Sequence, residues 1–457
     1  MNIILLSGGS GKRLWPLSND IRSKQFIKIF KKDSGIFDGV DDREKYSSES
    51  QNKIGMDERY ESMVQRVYRQ IKTVDPNATV TIATSKSQVS VIHNQLGEDV
   101  GISVEPCRRD TFAAIALATA YLHDIKGVDS TEAVVVCPVD PYVEDDYFKT
   151  VRKLYETAKS GDTNLVLMGI EPTYPSEKYG YIRPDGDNSY TFTEKPSIEK
   201  AKEYIKAGAL WNGGVFAFKV SYVLNKSKEL LGSSGYSELF STYETLQKIS
   251  FDYAVAEAEK SIKVITYKGT WKDLGTWNTL AEAMGEPTIG DAILSNNCEN
   301  VHVLNELGVP VLVMGVHNLV ISASADGILV SDKDQSSYIK PYVDHINQPV
   351  KFAEKSWGSY RVLDVQEESM TVLVTLNPGH KMNYHSHDYR DEVWTVVKGS
   401  GCTIVDGMEQ VVKGGDIVTM AAGHKHTVIA GEHGLQLIEV QLGSDITVSD
   451  KKKYEMP

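Results

Sequence analysis

The sequence predicts an α/β protein in its first two thirds, followed by β-rich segments. Short apolar runs typical of buried strands, at 3–7, 79–85, 133–140 and 164–170, alternate with helical stretches. This alternation favours a mixed, mostly parallel sheet with helices on both faces, whose strand ends form a ligand crevice. From about residue 283 onward, closely spaced β-runs separated by Gly, Asn and Asp replace the alternation. Such spacing is typical of all-β structure.

Length and composition set the domain organisation. At 457 residues the chain is too long for one core, which predicts two or three domains. The composition, 41% hydrophobic and 24% charged, is that of an ordinary globular protein, so most of the chain should fold. We expect an α/β domain over 1–282, a small segment of short β-strands over 283–347 and a β-barrel over 348–457.

Charge and cysteine content exclude several classes of protein. A net charge of −13 argues against a nucleic-acid-binding or membrane-binding surface and fits small anionic substrates better. The cysteines Cys107, Cys137, Cys298 and Cys402 form no CxxC pair, which indicates reduced thiols rather than disulfides or structural zinc. No segment approaches the roughly 20 apolar residues that span a bilayer, and the initial apolar run is too short for a signal peptide. We therefore expect a cytoplasmic protein.

The first strand runs directly into a glycine-rich turn. Gly8, Gly9 and Gly11 allow backbone N–H groups to approach a phosphate closely, and the cationic Lys12 and Arg13 follow at once,. The turn is not a P-loop, because Leu6 stands where the first glycine is required, and Leu14 replaces the third glycine of a dinucleotide fingerprint,. This pattern predicts a polyphosphate site of a different class.

A polar, charged stretch over 32–58 interrupts the pattern that continues from Arg59. Its composition predicts a surface insertion.

Two aspartates are candidate metal ligands. Asp140 follows a strand at its carboxyl end, where ligands gather in open α/β sheets,. Asp273 lies far along the chain, between Trp271 and Trp277. Because Mg²⁺ is usually bound by one or two carboxylates together with substrate phosphates, these two residues would suffice for a magnesium site.

The joined pattern GGxGxRLxPLS, followed by Lys24 in KQF, resembles the signature of sugar-1-phosphate nucleotidyltransferases, in the version found in mannose-1-phosphate guanylyltransferases. The resemblance implies a Rossmann-like domain that catalyses attack of a sugar-1-phosphate oxygen on the α-phosphorus of a nucleoside triphosphate. Arg13 would then neutralise charge on the β- and γ-phosphates, and Lys24 would hold the α-phosphate. Mg²⁺ on Asp140 and Asp273 would bridge GTP and mannose-1-phosphate.

Further stretches match the same family in order and spacing. The resemblance assigns Arg109, Asp110 and Thr111 to the base and ribose, with Asp110 standing where asparagine is usual. It assigns the following residues to the sugar: Gly180, Tyr181, Glu194, Lys195, Asn212 and Gly213. The motif around Asp140 departs from the family, since Cys137 replaces the usual leucine start and Pro141 replaces a histidine.

A second constellation lies near the end of the chain. Gly379, five residues, His385 and His387, four residues, Glu392, six residues and a glycine fit the first cupin motif. The second motif places His426 as a fourth ligand, with alanine for the usual proline. On a strand His385 and His387 face the same way, and imidazoles with a carboxylate suit Zn²⁺ or Fe²⁺.

The region from Trp357 onward resembles the mannose-6-phosphate isomerase domain that is fused to guanylyltransferases in bifunctional enzymes. The resemblance implies a cupin barrel in which the metal holds sugar oxygens while a base moves a proton between carbons 1 and 2. Arg390 occupies the position of the family's important arginine. The chain departs from the family at His385, usually glutamine, at Val393, usually histidine, and at Val372, where a lysine is expected.

Three functions are compatible with the sequence. The first is a guanylyltransferase with an isomerising cupin, and the second is a guanylyltransferase whose cupin is a metal-binding sensor or oligomerisation module. The third is a nucleotidyltransferase for another base or sugar. Since proteins of both kinds often pair, we expect a homodimer.

Overall fold

The computed structural model describes residues 1–8, 11–19, 21–32, 59–161, 163–186, 190–346, 348–444, 446–447 and 450–457. Gly9 of the predicted phosphate loop and nearly all of the predicted 32–58 insertion lie outside the described residues. With those gaps, the chain divides into two compact units. The first comprises 1–8, 25–32 and 59–285, and the second comprises 11–24 and 286–457. The three predicted domain boundaries remain predictions.

The first unit contains thirteen labelled strands and eight helices among its described residues. The strands are β1 (Asn2–Leu6), β2 (Lys28–Lys31), β3 (Tyr60–Ser62), β4 (Thr79–Ser85), β5 (Gly101–Glu105), β6 (Ala133–Pro138), β7 (Pro141–Val143), β8 (Leu165–Ile170), β9 (Tyr181–Pro184), β10 (Tyr190–Thr193), β11 (Leu210–Lys219), β12 (Ile262–Tyr267) and β13 (Trp271–Asp273). The helices are α1 (Met63–Val74), α2 (Val89–Leu96), α3 (Asp110–Asp124), α4 (Asp145–Ser160), α5 (Ile198–Lys206), α6 (Val220–Leu231), α7 (Tyr236–Thr242) and α8 (Trp277–Glu282).

The main sheet of the first unit has the order β10-β9-β11-β6-β1-β4-β5, with β8 joining β11 to β12. Strands β5, β4, β1 and β6 run parallel, and β11 runs antiparallel to β6 and β8. The apolar side chains of β1 and β6 are buried on both faces, as expected for strands with helices on each side. The predicted Rossmann-like α/β fold with a mixed sheet is therefore confirmed.

The second unit begins with a short 3₁₀ helix, Gly11–Leu14, and continues after the first unit. Its elements are β14 (Thr288–Ile289), β15 (Ala292–Leu294), β16 (His302–Asn305), β17 (Val311–Val313), β18 (Leu319–Ser324), β19 (Gly327–Asp332) and α9 (Lys340–Val343). The short strands stack in parallel ladders, β14-β16-β18 and β15-β17, and β19 closes the first ladder antiparallel to β18.

The rest of the second unit is an antiparallel sheet that curls into the half-barrel expected of a cupin. Its strands are β20 (Phe352–Lys355), β21 (Gly358–Val365), β22 (Ser369–Leu376), β23 (His385–His387), β24 (Asp391–Val405), β25 (Met408–Lys413), β26 (Ile417–Met420), β27 (His426–Leu442) and β28 (Lys451–Lys453). Inward-facing residues such as Val374, Trp394 and Leu437 form one apolar core. The predicted cupin fold is confirmed. No helix among the described residues has the length and apolarity needed to cross a membrane.

Candidate transferase site and histidine–glutamate cluster

A two-stranded ladder brings the two candidate metal aspartates together. Strand β6 ends at Pro138, and the chain passes through Asp140 into β7. Strand β7 pairs antiparallel with β13, so that Asp273 lies directly opposite Pro141, the neighbour of Asp140. Both aspartates are half-buried. Two aspartates that are distant in sequence are therefore neighbours at this ladder of the first unit.

The surroundings of these carboxylates suit a small hard cation. A Cβ atom at Gly275 would lie 3.1 Å from Oδ1 of Asp273, a close approach that would require the carboxylate to shift slightly. Carboxylate oxygens that remain partly accessible can share a Mg²⁺ ion with phosphate oxygens. The residues present therefore fit magnesium.

The residues assigned to the sugar also meet in the first unit. A Cβ atom at Gly180 would lie 2.5 Å from Oε2 of Glu194 and 3.6 Å from Cβ of Asn212. The backbone N–H of Asn212 donates to the Gly180 carbonyl at 2.8 Å. Lys195 has a φ of 45°, and its ammonium donates to Glu194 at 2.7 Å. We name Gly180, Glu194, Asn212 and the adjoining Asp252 the polar cluster.

Asp252 was not predicted from the sequence. It opens a π-helix, Asp252–Ala256, and accepts a hydrogen bond from Nδ2 of Asn212 at 2.5 Å. Burial raises the pKa of Asp252, Glu194 raises it further, and the bond from Asn212 acts in the opposite direction. The polar cluster therefore carries two carboxyl groups and one amide, which can bind several sugar hydroxyls.

Aromatic rings join the polar cluster to the aspartate pair. The ring of Trp271, two residues before Asp273, lies 5.3 Å from that of Tyr179 and 6.0 Å from that of Trp211. Tyr179 and Trp211 adjoin Gly180 and Asn212 in sequence, and their rings lie 4.9 Å apart. Burial raises the pKa of Tyr179 well above its usual value, with smaller contributions from Tyr174 and Asp273.

Two of the predicted sugar residues offer only their backbone to a ligand. The Tyr181 side chain is buried, and its hydroxyl accepts from Ser176 N–H at 2.9 Å and donates to the Ser176 carbonyl at 3.0 Å. A Cβ atom at Gly213 would lie 3.1 Å from Cγ1 of Ile170. Any ligand contact at Tyr181 or Gly213 therefore falls to the main chain.

The residues assigned to the base hold another segment of the first unit. The Arg109 guanidinium donates to the carbonyls of Tyr243, at 3.3 Å, and Glu244. The Thr111 hydroxyl accepts from the N–H of Phe251 at 2.8 Å, next to Asp252. Asp110 has a φ of 66°, and its carboxylate accepts from Thr111 N–H at 2.8 Å. Their roles toward a nucleotide remain predictions.

The described residues of the predicted phosphate loop are assigned to different units. Gly8 belongs to the first unit, where a Cβ atom would meet nothing within 4 Å. Gly11, Lys12, Arg13 and Lys24 belong to the second. Lys12 forms an exposed ion pair with Asp344 at 3.0 Å, while the Arg13 side chain is exposed. Lys24 is half-buried at the start of the 3₁₀ helix Lys24–Phe26.

Buried polar contacts fasten the 11–24 segment to the short strands of the second unit. Arg22 donates twice to Glu306, at 2.8 Å each, and Asn19 donates to Asp326 at 2.8 Å. The Ser324 hydroxyl donates to the Pro16 carbonyl at 2.7 Å. We name this set the loop anchor. The segment that carries Lys12, Arg13 and Lys24 is thus held by residues 284 to 308 positions away.

Four buried side chains of the C-terminal half-barrel form a candidate metal centre. One ligand atom from each of His385, His387, Glu392 and His426 lies within 4.8 Å of the others. Nδ1 of each histidine lies 2.6 to 3.0 Å from a backbone carbonyl, of Asn383, Asp450 and His424 respectively. These bonds fix the rings and leave Nε2 as the atom that faces the other ligands. We name these four residues the histidine–glutamate cluster.

The electrostatics of the histidine–glutamate cluster favour a divalent metal. Burial lowers the pKa of His385 to about 2 and that of His387 to about 4, so both imidazoles stay neutral. Burial alone would raise the pKa of Glu392, but His426, Arg390 and His387 outweigh it and lower this pKa to about 2. Nε2 of His426 is buried and lies 3.2 Å from Oε2 of Glu392, but it makes no well-aligned hydrogen bond. Neutral imidazoles, an ionised carboxylate and this unsatisfied nitrogen fit a Zn²⁺ or Fe²⁺ ion.

Arg390 lies against the histidine–glutamate cluster. Its Nε donates to Oε1 of Glu392 at 3.0 Å, and its Nη2 lies 3.0 Å from Nε2 of His387. The Trp394 indole N–H donates to the other oxygen of Glu392 at 3.2 Å. A metal bound by His387 and Glu392 therefore has a guanidinium as its immediate neighbour.

Comparison with protein families matches both parts of the chain. A family model described as nucleotidyl transferase matches residues 2–288, and one described as mannose-6-phosphate isomerase C-terminal matches residues 343–456. These matches confirm the resemblances predicted from the glycine-rich motif and the two cupin motifs.

Relatives match over nearly the full chain. A protein of Salmonella montevideo named mannose-1-phosphate guanylyltransferase is 27% identical over 99% of this chain and 98% of its own. The alginate biosynthesis protein AlgA of Pseudomonas aeruginosa is 26% identical over 99% and 96%. A crystal structure from Thermus thermophilus, described as a mannose-1-phosphate geranyltransferase, is 27% identical with a TM-score of 0.58, covering 75% of this chain and 98% of that one. The chain belongs to the nucleotidyl transferase family and carries a C-terminal segment of the mannose-6-phosphate isomerase type.

Proposed function

We propose that the chain transfers a guanylyl group from GTP to mannose-1-phosphate, forming GDP-mannose and pyrophosphate. The observation that carries the proposal is the β7–β13 ladder, which places Asp273 beside Asp140 in a chain of the nucleotidyl transferase family. The choice of guanine and mannose is supported by full-length relatives named mannose-1-phosphate guanylyltransferase.

The residues of the first unit have distinct tasks in this reaction. Asp140 and Asp273 would hold Mg²⁺, which supplies charge neutralisation on the phosphate oxygens. Glu194, Asn212 and Asp252 accept and donate hydrogen bonds to the sugar hydroxyls and so orient the sugar phosphate. An oxygen of that phosphate attacks the α-phosphorus, the bond to the bridging oxygen breaks, and pyrophosphate leaves. Positioning and charge stabilisation supply most of the catalysis in such transfers.

Cations of the loop act on the triphosphate. Arg13 neutralises charge on the β- and γ-phosphates as pyrophosphate leaves, and Lys24 holds the α-phosphate. The Gly8 backbone, which carries no side chain, allows close approach to the phosphates. Arg109, Asp110 and Thr111 hold the base and ribose.

A panel of GTP, ATP, CTP and dTTP, crossed with mannose-1-phosphate and glucose-1-phosphate, tests the specificity. We expect the highest kcat/KM for pyrophosphate release with GTP and mannose-1-phosphate. A higher value for dTTP or CTP would establish the alternative, a nucleotidyltransferase for another base or sugar.

The histidine–glutamate cluster supports a second activity, interconversion of mannose-6-phosphate and fructose-6-phosphate. The supporting observation is the contact of Arg390 with two of the four ligands of a buried metal centre. These ligands would hold Zn²⁺ or Fe²⁺, which polarises a sugar carbonyl when bound. Arg390 stabilises negative charge on the sugar oxygens while a proton moves between carbons 1 and 2.

Incubating the metal-loaded protein with fructose-6-phosphate separates the two interpretations of the half-barrel. Formation of mannose-6-phosphate supports the isomerase. Bound metal without any conversion would instead favour a sensory or oligomerisation module.

A further inference from the structure

The last strand of the half-barrel directs two lysines toward the metal ligands. Strand β28 pairs antiparallel with β23, so that Lys453 lies opposite His385 and Lys451 lies opposite His387. Directly opposed residues of an antiparallel pair project from the same face of a sheet. The side chains of Lys451 and Lys453 therefore stand on the face that carries the histidine–glutamate cluster.

The lysine between them faces the other way and has a partner. Lys452 lies opposite Ser386, and its ammonium forms an ion pair with Asp388. It belongs to the outer surface of the half-barrel. The run of three lysines thus consists of one outward-facing paired cation and two inward-facing cations.

The two lysines on this face differ in exposure, since Lys451 is half-buried and Lys453 is exposed. No described residue forms a hydrogen bond or an ion pair with the ammonium of Lys451 or Lys453. The charges of Glu439 and Glu392 act on Lys451, but among the described residues neither carboxylate forms an ion pair with it. A half-buried ammonium without a direct ion pair is unfavourable, and a bound anion would relieve this cost.

The spacing and sign of the charges indicate the kind of anion. Residues two apart on a strand lie roughly 6.7 Å apart, so two flexible ammonium groups can contact opposite sides of one phosphate. Arg390 adds a third cation, whose field also acts on Lys451. Lys355 adds a fourth, because Lys453 contributes, after burial, to lowering its pKa. Such a concentration of positive charge favours a dianion over a neutral sugar.

We propose that Lys451 and Lys453 bind the phosphate group of a phosphorylated sugar whose other end faces the histidine–glutamate cluster. The proposal rests on the second activity proposed above only in taking a sugar phosphate as the ligand of the half-barrel. Free phosphate shares the same chemistry and should occupy the same two lysines with lower affinity, because it lacks the sugar contacts.

Calorimetric titration of the full-length, metal-loaded protein tests the proposal. The ligands are fructose-6-phosphate, fructose and inorganic phosphate. Lys451→Met should weaken fructose-6-phosphate binding by about 10- to 100-fold, the value of a charge-assisted hydrogen bond, and should weaken phosphate binding as well. Lys451→Arg should restore most of the affinity. Lys452→Met, the matched control on the outer face, should leave it unchanged.

Several results would overturn the proposal. These are unchanged binding in Lys451→Met, an equal loss in Lys452→Met, or binding of fructose as tight as that of fructose-6-phosphate. Metal content and thermal unfolding of each variant show whether a loss reflects misfolding, and the Lys451→Arg variant then decides. Pyrophosphate release from GTP, measured on the same samples, reports separately on the proposed guanylyl transfer.

Discussion

Asp140 and Asp273 matter for the proposed function only as a pair. Each alone is an ordinary aspartate at a strand end or turn. The β7–β13 ladder gives them a joint role by placing Asp273 opposite Pro141. The glycine at 275, which lies against Asp273, supports the same interpretation, since a side chain there would crowd the carboxylate.

Asp273→Asn should lower kcat for pyrophosphate release by about 100-fold or more, because a neutral amide holds a divalent cation far less well than a carboxylate. The fold should be retained, since the two side chains are nearly isosteric. Asp145→Asn, an exposed acid that opens α4 shortly after β7, serves as the control and should retain activity. A fully active Asp273→Asn variant would remove this aspartate from the mechanism.

Arg390→Met should abolish isomerisation without loss of the metal. The guanidinium lies 3.0 Å from atoms of His387 and Glu392, so its removal relieves repulsion toward a divalent ion and metal affinity should rise or stay equal. Metal analysis after dialysis, together with an isomerase assay, measures both effects. Lys413→Met, an exposed cation on β25, is the control. Metal loss in Arg390→Met would show a purely structural role.

Because the pKa values of His385 and His387 are lowered, we expect the half-barrel to lose stability as the pH falls. Unfolded imidazoles protonate near pH 6.5, whereas His385 and His387 in the folded protein protonate near pH 2 and pH 4. The unfolded state binds more protons below pH 6.5, so the metal-free half-barrel should lose on the order of 1 kcal/mol per imidazole for each pH unit down to about pH 4.

Hydrogen exchange of β24 peptides in urea, at about pH 7.5 and about pH 5.5, measures this loss of stability. His387→Asn should reduce the pH dependence, and His317→Asn, at a position 61% exposed, should not. Equal stability at both pH values would contradict the assigned pKa shifts.

Sequence reasoning found residues that belong to local patterns and missed those that do not. The four members of the histidine–glutamate cluster follow the fixed spacing of the two cupin motifs. Asp252 stands in an irregular π-helix 40 positions from its partner Asn212, with no local signal. Lys451 was hidden in a run of three lysines, which from the sequence looks like solvated charge. The sequence comparison with the isomerase family showed that Val372 stands where a lysine is expected, but it did not point to Lys451.

At the scale of elements, the 11–24 segment depends on the short strands of the second unit. Arg22 and Glu306 are 284 positions apart, and their side chains are only 5% and 17% exposed. The sequence predicted the glycine-rich motif and the parallel sheet from local pattern. It could not predict the loop anchor, because pairing over such a separation is decided by the folded chain.

Arg22→Met alone should destabilise the second unit by about 3–5 kcal/mol, since it leaves the Glu306 carboxylate buried and unpaired. The double variant Arg22→Met with Glu306→Leu should recover most of that loss. Urea unfolding measures the free energies, and KM for the nucleotide should rise in the single variant because Lys12 and Arg13 lose their fixed positions. Additive losses in the double variant would show that the two residues act independently.

At the scale of the whole molecule, two constellations with different donor chemistry occupy two sheets. The carboxylates of Asp140 and Asp273, which are hard oxygen ligands, lie at the β7–β13 ladder. Three imidazoles and one carboxylate lie in the half-barrel. The fold class was predicted because strand-like runs alternate with helical stretches in the first part of the chain and follow one another closely in the second part. The expected homodimer remains a prediction, for sedimentation analysis to decide.

Because the two constellations share no residue, variants should separate the two activities. Asp273→Asn should abolish guanylyl transfer and leave isomerisation within about twofold, and Arg390→Met should do the reverse, as expected for sites whose effects are additive. Assaying both activities on both variants provides the test. Loss of both activities in either variant would show that the sites are coupled.

The most direct test of the central claim is ³¹P NMR of the purified chain with GTP, mannose-1-phosphate and Mg²⁺. We expect GDP-mannose and pyrophosphate to appear in equal amounts, and neither to form with Asp273→Asn. Persistence of both substrates in the presence of the folded, magnesium-supplied protein would contradict it.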